Sequence, residues 1–245
     1  MREARPWTRR CGGCSTSRWR RSIGSSPRLA WARAHGDPGT PFDYWRLADD
    51  AWAVIDHLGL DRIAIAGHFS GGWTAMRMAL QQPSRVRGLV IVGSRADPYD
   101  SYDRIGYEAV IMDGWIQGDN PLEHVAVPIA SSTIRPDPEP RRYWLDKWLT
   151  AGTSGRRHPG LAGRALIDRK GIEDQLADIT APVLVMHGIH DPVYDRAHQE
   201  ALATRFGGPA RVETTDAPRA FHTPTLTAPE LTDPLLRQFL DGLPA

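Results

Sequence analysis

The run Ile63-Ala64-Ile65-Ala66-Gly67-His68-Phe69-Ser70-Gly71-Gly72-Trp73 constrains this chain more than any other segment. It reads as a short buried strand, a tight turn and the opening of a helix, with almost no connecting residues. Such a junction forces one residue into a strained backbone conformation. Side chains two places before and two places after that residue would collide with the neighbouring strand and helix. With Phe69 at the apex the flanking residues are Gly67 and Gly71, which fit. With Ser70 at the apex they are His68 and Gly72, and the imidazole is a poor fit. Geometry therefore selects Phe69 for the apex. A phenyl ring has no nucleophilic atom, so Phe69 cannot form an acyl-enzyme. The plainer alternative is a glycine-rich strand–helix turn with no catalytic role.

The rest of the chain alternates in the same way. Residues 46–58 carry Leu47, Ala48, Ala51, Val54, Ile55 and Leu58 on one helical stripe. A helix over 73–81 follows the strand at 63–66. Leu89-Val90-Ile91-Val92 is a continuous apolar run, as expected of a strand covered on both faces of a parallel sheet. Residues 101–180 break the alternation with aromatic-rich helical segments around Tyr102, Tyr107, Trp115, Tyr143, Trp144 and Trp148, and read as a helical cap. Strand signal resumes at Pro182-Val183-Leu184-Val185-Met186 and, more weakly, at 211–214. A last amphipathic helix holds Leu231, Leu235, Leu236, Phe239 and Leu240. The expected class is α/β, a mostly parallel sheet with a core over 28–100 and 181–245 and a cap over 101–180.

Charge divides the chain unevenly. The first 33 residues hold nine arginines against one acid, Glu3, so a chain of net charge +1 has an acidic body. Residues 1–27 show neither helical nor strand period and read as an unpatterned basic arm, expected to be disordered. A nucleic-acid arm, a transit peptide and out-of-frame coding sequence are the other readings. The acidic body gives nucleic-acid binding no support. Leu29-Ala30-Trp31-Ala32 is a short strand candidate. No apolar run approaches the roughly 20 residues that span a bilayer. Cys11 and Cys14 form a lone pair with only glycines between them, weak for zinc or redox work. The histidines other than His68 and His222 show no metal spacing. No metal, no cofactor, no membrane partner and a cytoplasmic location are the expectations.

Two further residues suggest chemistry. Asp191, in His187-Gly188-Ile189-His190-Asp191-Pro192, stands just beyond a strand's C-terminal end, where α/β sheets build their sites. It could orient an imidazole, or simply form a turn ahead of proline. His222, between the last weak strand and the last helix, could serve as a general base.

Residues from about 28 onward resemble the α/β-hydrolase superfamily, and within it capped esterases and 3-oxoadipate enol-lactonases. The pieces that carry the likeness are Arg33-Ala34-His35-Gly36-Asp37, the 67–73 elbow, Arg85-Val86-Arg87-Gly88-Leu89-Val90, His187–Val193 and His222-Thr223-Pro224. The order nucleophile, acid, histidine agrees with that superfamily. The resemblance implies hydrolysis of small carboxylic esters or lactones, with Ser70 as displaced nucleophile, His222 as base and Asp191 as its support. Gly67, Phe69, Ser70 and Gly71 would form the elbow, and the Ser70 N–H one oxyanion donor. Three departures stand out: Phe69 replaces serine, Phe221 replaces the glycine before the histidine, and the early strands with their His-Gly oxyanion loop have no recognisable counterpart. The alternative is a member without a nucleophile that keeps the fold and binds a small apolar ligand.

Overall fold

The computed structural model describes residues 40–99, 101–119, 121, 124, 142 and 157–244. The basic arm, the candidate strand at 29–32, the 33–37 loop and most of 120–156 lie outside the described residues.

Asp43 starts the first helix, α1 (Tyr44–His57), by accepting a hydrogen bond from the Arg46 N–H at 2.8 Å. Leu47, Ala48, Ala51 and Ile55 face the core as their spacing demands, joined by Tyr44 and Trp52. Leu58 differs from expectation. It closes the helix as C-cap and is 54% exposed, because the chain turns away there through Gly59, at φ +64°.

Strand β1 (Ile63–His68) leads into α2 (Ser70–Gln81), and β2 (Val86–Val92) follows. The helix begins three residues before the expected position because Ser70, Gly71 and Gly72 continue it straight from the turn. Strand β2 starts earlier than the apolar run because Val86-Arg87-Gly88 pairs alongside β1. Beyond β2 come α3 (Ser101–Tyr107), a π-helical stretch (Glu108–Gln117), α4 (Arg157–Ile167) and a 3₁₀ stretch (Glu173–Asp178). The chain returns to the sheet as β3 (Val183–Gly188), then forms α5 (Arg196–Ala203), β4 (Ala210–Thr215), the one-turn α6 (Pro224–Thr227) and α7 (Pro229–Asp241).

The four strands pair in parallel in chain order, β1-β2-β3-β4. Alternate residues of β2 and β3 enter opposite cores. Leu89, Ile91, Val183 and Val185 pack with residues of α1, α2 and α5, whereas Val90, Val92, Leu184 and Met186 meet Phe239 and Leu243 at the end of α7. Helices on both faces are the reason these strands read as unbroken apolar runs. Each fully buried aliphatic side chain contributes roughly 1.5–3 kcal/mol. Strand β1 departs from its expected full burial. Ile63 and Ile65 join the α1–α2 core, but Ala64 and Ala66 are exposed, because α7 covers β2 and β3 and does not extend over β1. On α7 itself Phe239 is buried and Leu235, Leu236 and Leu240 pack around it, while Leu231, one end of the expected stripe, is 42% exposed.

Candidate active site

The C-terminal edge of the sheet assembles the site. At the end of β1 the chain turns through Phe69, whose φ of 48° and ψ of −116° make it the only described non-glycine residue with positive φ. Neighbouring groups hold that conformation. The Phe69 N–H donates to the Val92 carbonyl at 3.0 Å, and the Ser94 hydroxyl donates to the Phe69 carbonyl at 2.8 Å. A Cβ on Gly67 would stand 2.3 Å from the Gly71 carbonyl oxygen, so the strand and the helix touch backbone to backbone on either side of the apex. This contact explains the glycine spacing.

The Phe69 ring is surrounded by aromatic groups. It lies 4.8 Å from Trp73, 5.3 Å from His222 and 6.3 Å from Tyr194, centroid to centroid. Ser70 is the first residue of α2, and its carbonyl accepts the Thr74 hydroxyl at 3.3 Å. Its N–H falls in the first helical turn, which has no intrahelical acceptor. No hydrogen bond joins Ser70 to His222 or Asp191 among the described residues.

Asp191 and His222 come together from two loops. The Nδ1–H of His222 donates to the Asp191 carboxylate, 2.9 Å from Oδ2 and 3.1 Å from Oδ1. Both side chains are sealed from solvent, His222 at 3% and Asp191 at 0% exposure. Asp191 also accepts the Val193 N–H at 2.8 Å and the Tyr194 N–H at 3.2 Å. The turn-forming and imidazole-orienting readings of this residue are thus realised at once. With Nδ1 committed to the carboxylate, Nε2 is the nitrogen left to take a proton.

Four contributors were not singled out from the sequence. His68, just before the apex, donates its Nε2–H to the His222 carbonyl at 3.0 Å, and the two rings lie 4.8 Å apart. Burial, reinforced by His222, pushes the His68 pKa down to about 4, so it is neutral at physiological pH. Tyr194 closes the other side, 5.8 Å from His222, with its hydroxyl pushed up to about 12 by burial. Ser94 anchors the apex carbonyl, and Gly93, at φ +49°, leaves room for the imidazole: a Cβ there would lie 2.9 Å from His222. The only sequence sign of these roles is position. His68 ends β1, Gly93 and Ser94 come directly after β2, and Tyr194 stands farther out in the loop between β3 and α5.

Residues 13–119 match a family described as the alpha/beta hydrolase fold. The AB hydrolase superfamily protein YisY of Bacillus subtilis is 29% identical over 172 residues, covering 66% of this chain and 62% of that protein, so the chain spans under two thirds of that relative's length. Among solved structures, a malate-bound thermophilic esterase from Thermogutta terrifontis superposes with a TM-score of 0.72 at 22% identity, over 82% of this chain and 73% of its own. The enol-lactonase from Burkholderia xenovorans LB400 does so with a TM-score of 0.67 at 18% identity, over 84% and 74%. In its sheet order and elbow turn, and in its likeness to these structures, the chain has the α/β-hydrolase fold.

Proposed function

We propose that this chain binds small carboxylic esters or lactones at the Phe69–His222 site and, having no nucleophile at the elbow, holds them without forming an acyl-enzyme. The observation that carries this reading is Phe69 itself, at the one strained position where a serine hydroxyl would face His222. Esterase and enol-lactonase neighbours suggest the ligand class. The Asp191–His222 pair supports an imidazole poised as base, and the Ser70 N–H supplies one oxyanion donor.

The competing reading is hydrolysis by Ser70, with His222 as base and Asp191 behind it. The intact pair and the position of Ser70, one residue past the apex, speak for it. Assays of p-nitrophenyl acetate and an enol-lactone with wild type, Phe69→Ser and Ser70→Ala separate the two. The binding reading expects background rates for wild type and Ser70→Ala, and a gain on the order of 10²-fold or more in Phe69→Ser, since a triad member contributes at least that much. Robust wild-type turnover lost in Ser70→Ala would replace it with the hydrolytic one.

A further inference from the structure

Three arginines lie beside the elbow, and among the described residues a single carboxylate, Asp97, forms an ion pair with any of them. Arg169, in the loop after α4, is only 4% exposed, and its guanidinium lies 3.8 Å from the Trp73 ring centroid and 5.2 Å from that of Tyr99. Its Nε–H and one Nη2–H donate to the Asp97 carbonyl at 3.1 and 2.9 Å. Its Nη1 is buried with no hydrogen-bond partner among the described residues. Arg95, in the loop after β2, stacks over Tyr194 at 5.6 Å and pairs with the Asp97 carboxylate, leaving its Nε buried and unpartnered among the described residues. Arg77 of α2, 2% exposed, donates to the Trp73 and Lys170 carbonyls at 3.0 and 2.6 Å, and its Nε likewise has no partner among the described residues.

Among the described residues the Asp97 carboxylate is paired with Arg95, Arg169 meets only the Asp97 backbone carbonyl, and the acid that bears on Arg77 is Asp43. Burial and the neighbouring Arg169 pull the Arg77 pKa down to about 10, which leaves it charged at neutral pH, and burial lowers that of Arg169. Desolvating a guanidinium with an idle N–H is costly, and chains ordinarily pair such a group or leave it at the surface. Aromatic faces recover part of that cost. The remainder is the cost of a site built for a charge that arrives from outside.

Placement says where that charge would lie. Arg169 reaches the elbow through Trp73, which is in contact with Phe69, and Arg95 reaches it through Tyr194, which faces both Phe69 and His222. The two arginines are tied to each other through Asp97. We infer that Arg95 and Arg169 form an anion subsite one aromatic ring away from the elbow, and that the ligand is a small ester or lactone carrying a free carboxylate. This rests on the ligand reading above and adds a charge requirement to it. Guanidinium suits the role because its planar fork meets a carboxylate with two parallel hydrogen bonds.

The test is a charge comparison at fixed shape. Monomethyl succinate and dimethyl succinate are titrated into the folded wild-type chain by calorimetry. The monoester should bind at least about tenfold more tightly, roughly 1.4 kcal/mol. Arg169→Gln and Arg95→Gln should each reduce the preference to about threefold or less, with the exposed Arg196→Gln keeping it. If Arg169→Gln does not fold, Arg95→Gln decides, because its side chain is already 17% exposed. Equal affinity for the two esters, no binding of the monoester, or a preference that survives in Arg95→Gln overturns the subsite. The preference is read as affinity whether or not the ester is cleaved. Wild-type hydrolysis therefore defeats the first proposal alone, and indifference to charge defeats the second alone.

Discussion

The imidazole of His222 meets the phenyl ring of Phe69 edge-on, with centroids 5.3 Å apart and planes at 79°. In an acyl-transfer site that edge would face a hydroxyl. Here the imidazole faces a hydrocarbon, with the Asp191 carboxylate behind it in hydrogen-bond contact.

Replacing Phe69 by serine should therefore separate stability from chemistry. Loss of the ring contacts to Trp73, Tyr194 and His222 is expected to cost about 1–3 kcal/mol. The same variant should gain ester hydrolysis. Denaturant unfolding and a p-nitrophenyl acetate assay on one preparation check both directions.

Asp191→Ala should be more damaging than an ordinary loop substitution. The change removes the acceptor for His222 Nδ1–H and for the N–H groups of Val193 and Tyr194 at a fully buried carboxylate. A loss of about 2–4 kcal/mol is expected. Asp191→Asn keeps acceptor capacity and should lose less, a ranking readable from urea midpoints.

Gly93→Ala tests the space allotted to the imidazole. The backbone there is left-handed, and the added Cβ would lie 2.9 Å from His222. Strain and overlap together should cost about 2–4 kcal/mol. The His222 ring resonances in an NMR spectrum should shift, whereas Gly59→Ala, equally left-handed but with open space around it, should leave them in place.

Acid should destabilise the fold through His68. Its pKa is about 4 in the folded chain, against about 6.5 when unfolded. The unfolded state binds the proton first, so the stabilisation is fully present above about pH 6.5. It is lost as the pH falls towards 4, amounting to about 3 kcal/mol below both values. Burial and His222 drive the shift; Asp191 and the hydrogen bond to the His222 carbonyl oppose it. His68→Gln should remove that part of the slope between pH 7 and 4, measured by denaturant unfolding across the range.

Sheet class and site order were legible because they rest on local patterns. Unbroken apolar runs at 89–92 and 183–186 required cover on both faces, and the glycine pair at 67 and 71 required a backbone-to-backbone crossing. Asp191 could be picked out because it stands just past a strand, and His222 because it follows the elbow and the acid in chain order. What stayed hidden depends on distant contacts. Nothing near Arg169 in sequence shows that its guanidinium will lie on Trp73, 96 positions earlier. Nothing around Ser94 shows that its hydroxyl will hold the Phe69 carbonyl. The exposure of Leu58 and Leu231 escaped for a simpler reason: helical period gives a stripe, but not where along the stripe the neighbouring element ends.

The backbone at position 69 is set by Gly67, Gly71, Val92 and the Ser94 hydroxyl, none of which depends on the side chain carried there. Phenylalanine and serine codons of the TTY and TCY types differ by a single nucleotide. A lineage carrying this turn can therefore exchange a phenyl ring for a hydroxyl at the apex in one mutational step, in either direction, without rebuilding the scaffold beneath it.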